Sequence, residues 1–550
     1  MFGRTAVRRL LRAATILALT LPVAASSVAQ APPLLPIPDA QAAGSQMSVF
    51  NVRDFGASGR KADGARAAIQ RAVDACASAG GGTVYFPPGD YSSGTIHLRS
   101  RVRLYIEAGA TIFSIKDKSA FDQDALIFAD GAEQIAIEGR GTINGQAEYE
   151  WRQDDHEDDF IRDNKERMIA LGKPVIRAFP KQNQYGKLVL LLRCKDVRIA
   201  GVSFVDSPSW TIHPYACERM VVDGVYIRSS LKEAVWADGI DPDGCRDLRI
   251  ANSTIETGDD AICFYSMNWF GPALPCENIT VTNCRLSSAS SAIKFSDGNM
   301  NAIRNVAISN CVIAGANRGL AFMNFDGGIV SDVVVSDMVI DTVRHAYFWW
   351  GDGDPFHFNI KRRSEVHKSV KPGTDAPAGS IRRVLISHVI ARGQGSSVIN
   401  GHPDSWLQDI TFDNVRLHLT ADPKAPYDKA VHALEFRRVR NLKLRDVDVT
   451  WGEPASPGWR SALHVSEAAG VTIDAFAGRQ AGTSADAAVV LDGVRDATVR
   501  SCRATSGTQT FLRLSGSGTT GIALGENDLS RARVPVSIGA EVSKGAVRVR

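Results

Sequence analysis

From residue 188 onward the chain repeats a short block of alternating apolar and polar positions. Val197-Arg198-Ile199 is followed by Met220-Val221-Val222, Leu248-Arg249-Ile250, Ile279-Thr280-Val281, Val306-Ala307-Ile308 and Val333-Val334-Val335. Their first residues lie 23, 28, 31, 27 and 27 positions apart. The pattern resumes at Val384-Leu385-Ile386, Asp409-Ile410-Thr411, Leu442-Lys443-Leu444, Val471-Thr472-Ile473 and Ala497-Thr498-Val499. A period in this range is the mark of a solenoid. The unit carries strand-like alternation and turns but no helix-length amphipathic run. This predicts an all-β parallel β-helix in which each coil adds about 25 residues and stacks about 4.8 Å from the next. Asn252, Asn283, Asn310, Asp337, Asn414 and Asp446 follow their triplets at the same place. They are expected to form a ladder that satisfies backbone groups at one corner. A β-sandwich would leave this recurrence unexplained.

Ahead of the repeats, Ala68, Ile69, Ala72, Val73 and Cys76 fall at helical spacing within 65–79, and Gly80-Gly81-Gly82 ends the run. This helix is expected to cap the N-terminal end of the solenoid, where unpaired strand edges would otherwise lie open. Residues 1–29 read as an export signal: a basic stretch ends at Arg12, an apolar run covers 13–25, and Ser27-Val28-Ala29 is a small-residue cleavage pattern. The apolar run is shorter than the ~20 residues a membrane span requires. Arg8-Arg9 is also the dipeptide of a twin-arginine route. Residues 30–47 read as a linker and 48–550 as the β-helix, with an insertion at about 344–380. The expected location is therefore periplasmic or extracellular.

The formal charge of +3 falls to about −1 once the signal and its four arginines are removed. Such a balance offers no electrostatic case for nucleic acid. No membrane partner is expected of the mature chain, and a monomer is expected. Nine cysteines without paired Cys-x-x-Cys spacing exclude a zinc ribbon or a disulfide scaffold, leaving room for one disulfide at most.

The chemistry concentrates between Ser207 and Gly298. Asp238 stands in Ala237-Asp238-Gly239-Ile240-Asp241, and Asp259 and Asp260 stand in Thr257-Gly258-Asp259-Asp260. Asp238 precedes them by 21 and 22 residues, about one short coil, so the carboxylates should meet on one face. Clustered carboxylates raise at least one proton affinity and leave others ionised, the equipment of glycoside hydrolysis. The same residues could be turn formers, and a calcium site is a second functional reading.

These segments resemble the polygalacturonases of glycoside hydrolase family 28, especially their divergent bacterial relatives. The resemblance rests on Phe50-Asn51-Val52-Arg53-Asp54-Phe55-Gly56-Ala57, Gly80-Gly81-Gly82-Thr83-Val84-Tyr85-Phe86-Pro87-Pro88-Gly89, Gly141-Thr142-Ile143-Asn144-Gly145 and Ser207-Pro208-Ser209-Trp210-Thr211-Ile212-His213-Pro214. It runs from about 48 to 415. It implies a right-handed, single-stranded parallel β-helix and inverting hydrolysis of a glycosidic bond in a pectin-like or other plant polysaccharide, without cofactor or metal. Carried over by position, Asp259 matches the general acid, and Asp238 and Asp260 match the pair that activates water. Asp238 keeps only the last residue of the family's Asn-Thr-Asp motif. The Gly-His-Gly motif is replaced around Ser290-Ser291-Ala292-Ile293-Lys294, and Arg-Ile-Lys by Ala321-Phe322-Met323.

Candidate substrate-binding residues are Asp241 beside the cluster, His213 one coil earlier, Lys294 as replacement for a lost cation, and Arg344 and Trp350 in the aromatic loop Tyr347-Phe348-Trp349-Trp350-Gly351. Two other functions fit the same architecture. One is a polysaccharide lyase that uses a cation and a base such as Lys294. The other is a carbohydrate-binding protein without turnover.

Overall fold

The computed structural model describes residues 48–147, 151–154, 177–180, 186–345, 351–366, 370–422, 431–483, 486–543 and 545–549. The expected signal and linker, and the pair Trp349-Trp350, lie outside them. Strands from Val49 to Val549 pair almost entirely in parallel. The only antiparallel strand pair among the described residues joins Trp151–Asp154 to Arg177–Pro180. Parallel neighbours in one sheet need crossovers, which are right-handed for L-residues. The chain is a right-handed parallel β-helix.

The repeated triplets are its rungs. Val197 pairs in register with Met220, and the column continues through Leu248, Ile279, Val306, Val333, Val384, Ile410, Leu442, Val471 and Ala497. One block is displaced: the column takes Ile410, so Asp409 belongs to the preceding corner. The expected ladder residues Asn252, Asn283, Asn310, Asp337, Asn414 and Asp446 all adopt left-handed backbone, φ 50–56°. Asn and Asp tolerate this corner, where most side chains clash. The Asn283 amide donates to Asn252 Oδ1 (3.3 Å), and the Asn252 amide donates to Asp223 Oδ1 (2.7 Å). A second left-handed column, not anticipated, runs through Asp247, Asn278, Asn305 and Asp332 on the other side of the triplet.

Helix α1 (Arg66–Ser78) buries the five apolar residues expected of it and packs against the first strands. No helix among the described residues is long and apolar enough to cross a membrane. All nine cysteines are buried and free, so the one disulfide left open by the sequence does not form.

Six strands carry the site: β1 (Lys187–Leu192), β2 (Ile212–Tyr215), β3 (Ile262–Ser266), β4 (Ser291–Asn299), β5 (Arg318–Asn324) and β6 (Asp354–Ile360). Between β2 and β3 one irregular coil forms no strand on this face; it makes isolated bridges to its neighbours at Ile240 and Asp243, with backbone hydrogen bonds such as those from Thr211 to Asp238 and from Gly239 to Asp260. β6 lies inside the segment expected as an insertion, yet it is a full rung, paired with β5 and with Ser397–Asn400. Inward, Phe264, Phe295, Phe322 and Phe358 stack with ring centroids 5.2, 4.2 and 4.1 Å apart. Ile212, Ile240, Ile262, Ile293, Leu320 and Phe356 form a second buried column. Because side chains alternate across a strand, the residue after each of these faces outward. That outer row reads His213, Asp241, Cys263, Lys294, Ala321, His357.

The corner geometry makes a prediction. Asn283→Ala should lower stability by about 1–2 kcal/mol through the left-handed strain, whereas Asn283→Gly should retain most of it. Thermal unfolding of the two variants measures the difference.

Candidate active site

Asp238 and Asp241 sit on the irregular coil and Asp260 on the turn entering β3, all three essentially inaccessible, while Asp259 is half-buried. One oxygen of Asp238, one of Asp260 and the Cys263 Sγ lie within 4.8 Å of one another. The expected convergence of acids across neighbouring coils is present. Tight backbone packing makes it possible. A Cβ on Gly239 would lie 2.3 Å from the Ala261 carbonyl oxygen, and one on Gly258 2.3 Å from that of Ala234. Glycine at these two places lets the coils close on each other.

Each acid is held differently. Asp260 Oδ1 accepts from Ser290 Oγ (2.8 Å) and the Ser291 N–H (2.9 Å), and Oδ2 accepts from Lys294 Nζ (2.9 Å). Three donors, one of them charged, hold this carboxyl in place. Asp259 Oδ2 accepts from the Trp236 N–H (3.2 Å). Burial raises the Asp238 carboxyl well above the ordinary range, and the charges of Asp241, Asp259 and Asp260 add to this. The Asp241 carboxyl is raised chiefly by burial as well, and neither of its oxygens has a hydrogen-bond partner. Asp238 and Asp241 are thus two neighbouring buried carboxyls whose proton affinities are both raised.

Lys294 lies next to Cys263 in the outer row, with its ammonium between Asp260 and Asp297 Oδ1 (3.3 Å). Burial alone would lower its pKa, but Asp260 and Asp297 outweigh burial and hold it well above its ordinary value. Asp297 in turn accepts from Arg363 Nη1 (2.8 Å), and Arg363 Nε donates to Asp326 Oδ1 (3.0 Å). Asp260, Lys294, Asp297, Arg363 and Asp326 thus alternate in charge. The sequence reading missed most of this chain. Asp297 carried a signal, three residues after Lys294; Arg363, 66 residues beyond Asp297, carried none.

The other expected residues are more scattered. Ser290 and Ser291, where Gly-His-Gly was sought, spend their donors on Asp260. Ala321 and Met323 leave the Arg-Ile-Lys place without charge, and Lys294 stands beside Ala321 on the adjacent strand. His213 is in the outer row but fully buried, with Nε2 3.8 Å from Asp243 Oδ2 and its ring against Trp210, Trp269 and Phe270. Burial lowers its pKa, which favours the neutral ring. Arg344 faces Asp422 (4.0 Å). Trp350 lies outside the described residues. Exposed rings near the acids are instead Trp236 and Trp269. For a metal, Asp238, Asp260 and Cys263 are the candidate donors. A calcium ion wants six to eight oxygens, whereas this set includes a thiol, and the Lys294 ammonium already stands on Asp260.

Comparison with known proteins agrees with the fold and extends it. Residues 76–347 match the model of Glycosyl hydrolases family 28. A probable polygalacturonase of Vitis vinifera is 25% identical over 239 residues, 39% of this chain and 44% of its own length. The chain spans about half the length of the curated relatives it matches. Two solved structures share the fold. The family 28 exopolygalacturonase of Yersinia enterocolitica aligns with a TM-score of 0.60 at 18% identity, covering 78% of this chain and 79% of that one. A hyperthermoactive exopolygalacturonase of Thermotoga maritima aligns at 0.55 and 22% identity, covering 73% and 92%. Over these residues the chain is similar to glycoside hydrolase family 28 and to its polygalacturonases.

The raised pair makes stability depend on pH. A carboxyl whose native pKa lies above its unfolded value of about 3.9 gives its full stabilisation below that value and loses it as pH rises through the native one. Asp241→Asn should therefore melt a few degrees above the parent protein at pH 8, with the gap narrowing toward pH 4. Paired melting curves across this range are the measurement.

Proposed function

We propose that the protein is an exported glycoside hydrolase that cleaves a glycosidic bond in a pectin-like polysaccharide with inversion. The observation that carries this reading is the meeting of Asp238 and Asp260 within 4.8 Å, with Asp259 next to them and less buried. Asp259, the most accessible of the three, donates its proton to the leaving oxygen. Asp260, held by Lys294 and two further donors, orients the water. Asp238 takes the water's proton in its ionised form, and its raised proton affinity makes it the stronger base once ionised. The water attacks the face opposite the leaving group, so the anomeric configuration inverts.

Lys294 argues against the lyase. A lyase base must be deprotonated, and this ammonium is stabilised in its charged form by two carboxylates. The binding-only reading differs in outcome: it yields no new reducing ends on any glycan.

Asp259→Asn should lower turnover by about 10²–10⁴-fold with an unchanged melting temperature. Reducing-end release from pectic oligosaccharides, with the product anomer followed by NMR, tests both the acid and the inversion; activity close to the parent's would remove Asp259 from its role. Export makes a separate prediction. Secreted protein should begin at Gln30, directly after Ser27-Val28-Ala29, when its N-terminus is sequenced.

A further inference from the structure

The hydrolysis proposed above leaves two buried groups of the cluster without a part. Asp241 is wholly inaccessible, and neither of its oxygens has a hydrogen-bond partner. Cys263, equally buried, follows it in the outer row, because Ile240 bridges to Ile262. Asp238, one oxygen of which lies within 4.8 Å of the Cys263 Sγ, also leaves its Oδ1 unpartnered. A buried carboxyl oxygen without a donor is costly unless a proton or a cation satisfies it. Oxygens of this kind and a thiol stand together here on neighbouring coils.

The composition of the set selects the ion. Oxygens alone would suit magnesium or calcium, whereas a thiol among them favours a softer ion with four donors, of the zinc type. The donors of a tetrahedral zinc stand about 3.5 Å apart. Asp238, Asp260 and Cys263 already lie within 4.8 Å of one another, so no pair has to close by more than about 1.3 Å. Lys294 Nζ stands on Asp260 Oδ2 (2.9 Å) and also reaches Asp297 Oδ1 (3.3 Å). The ammonium can release the first and keep the second, which frees Asp260 as a fourth donor. Ser290 and the Ser291 N–H then still orient that carboxylate from behind. Burial holds the Cys263 thiol in its protonated form, and a divalent ion among these groups reverses that balance.

We propose that Asp238, Asp241, Asp260 and Cys263 bind one thiophilic divalent ion of the zinc type, and that the bound ion shuts off hydrolysis. The site stands on the donor set alone; its regulatory part rests on the hydrolase reading and deepens it. Binding forms one metal–sulfur bond and three metal–oxygen bonds, while the thiol proton and the protons of the buried carboxyls pass to solvent. Asp238 and Asp260 cannot ligate an ion and handle the attacking water together. Occupancy and turnover therefore exclude each other.

The test uses the full chain, with cadmium and zinc chlorides as probes and calcium chloride beside them. The parent protein should take up one cadmium ion, with thiolate-to-cadmium absorption in the ultraviolet that excess calcium does not abolish. Cys263→Ser should remove this absorption. Cys263→Ser and, independently, Asp241→Asn should each weaken cadmium binding about 100-fold in calorimetric titration. No binding by the parent, or an affinity unchanged in either variant, would overturn the site. Melting curves read the site without any variant: zinc in excess should raise the parent's melting temperature, and an unmoved transition speaks against it decisively. Zinc should also lower reducing-end release from polygalacturonate and other pectic oligosaccharides by about tenfold or more, with recovery on adding a chelator. Undiminished activity with the ion bound would overturn the regulation and leave the site standing. A chain that binds cadmium through Cys263 yet cleaves none of the glycans would support the site and remove the hydrolase reading.

Discussion

The constraint on which everything else depends is the in-register stacking of coils. In a parallel ladder each residue stands one strand spacing, about 4.8 Å, from its counterpart on the next rung. Side chains far apart in sequence become neighbours whenever they share a column. Inside, this makes columns of Ile and Phe. Outside, it makes the row from His213 to His357, where acidic, thiol, cationic and apolar side chains follow one another. Repulsion between acids on adjacent rungs is the cost of that arrangement. It is met by spreading them over an irregular coil and by giving Asp260 three donors.

The alternating series Asp260, Lys294, Asp297, Arg363, Asp326 sets the electrostatics of the groove. Breaking one link in a buried ion pair typically costs about 3–5 kcal/mol, because a charge is left without compensation. Such a series fixes the orientation of Asp260 more firmly than any single partner could. It also joins the acid cluster to the short helical turn at 363–366, which comes from two coils further on.

The sequence revealed the periodic parts of this molecule and little of the rest. The triplets, the corner asparagines and α1 were visible because each obeys a local rule: period two, a left-handed turn, or helical spacing. Asp238, Asp259 and Asp260 could be brought together because one coil separates them. The slip at Asp409 arose where an apolar triplet could be counted from either of two starts, and only pairing to Val384 decides it. β6 escaped notice because aromatic residues, Asp and Gly crowd its start, which reads as a loop. Lys294 was assigned to substrate because its neighbours on other rungs were unknown. Trp269 was overlooked because its place near the acids depends on a fold-back pinned by Arg193 and Tyr215, contacts with no trace in local pattern.

The buried cysteines have a consequence for the life of the chain. Cys194, Cys217 and Cys245 occupy successive coils, and burial drives the thiols of Cys217, Cys263 and Cys276 well above their normal pKa. A thiol without access to its thiolate form is a poor target for oxidants. Completed coils shield their sulfur chemistry, whereas a half-wound chain exposes every cysteine of its unwound part, up to all nine in the unfolded chain. Winding before meeting an oxidising environment, rather than afterwards, is the order of events that this interior rewards.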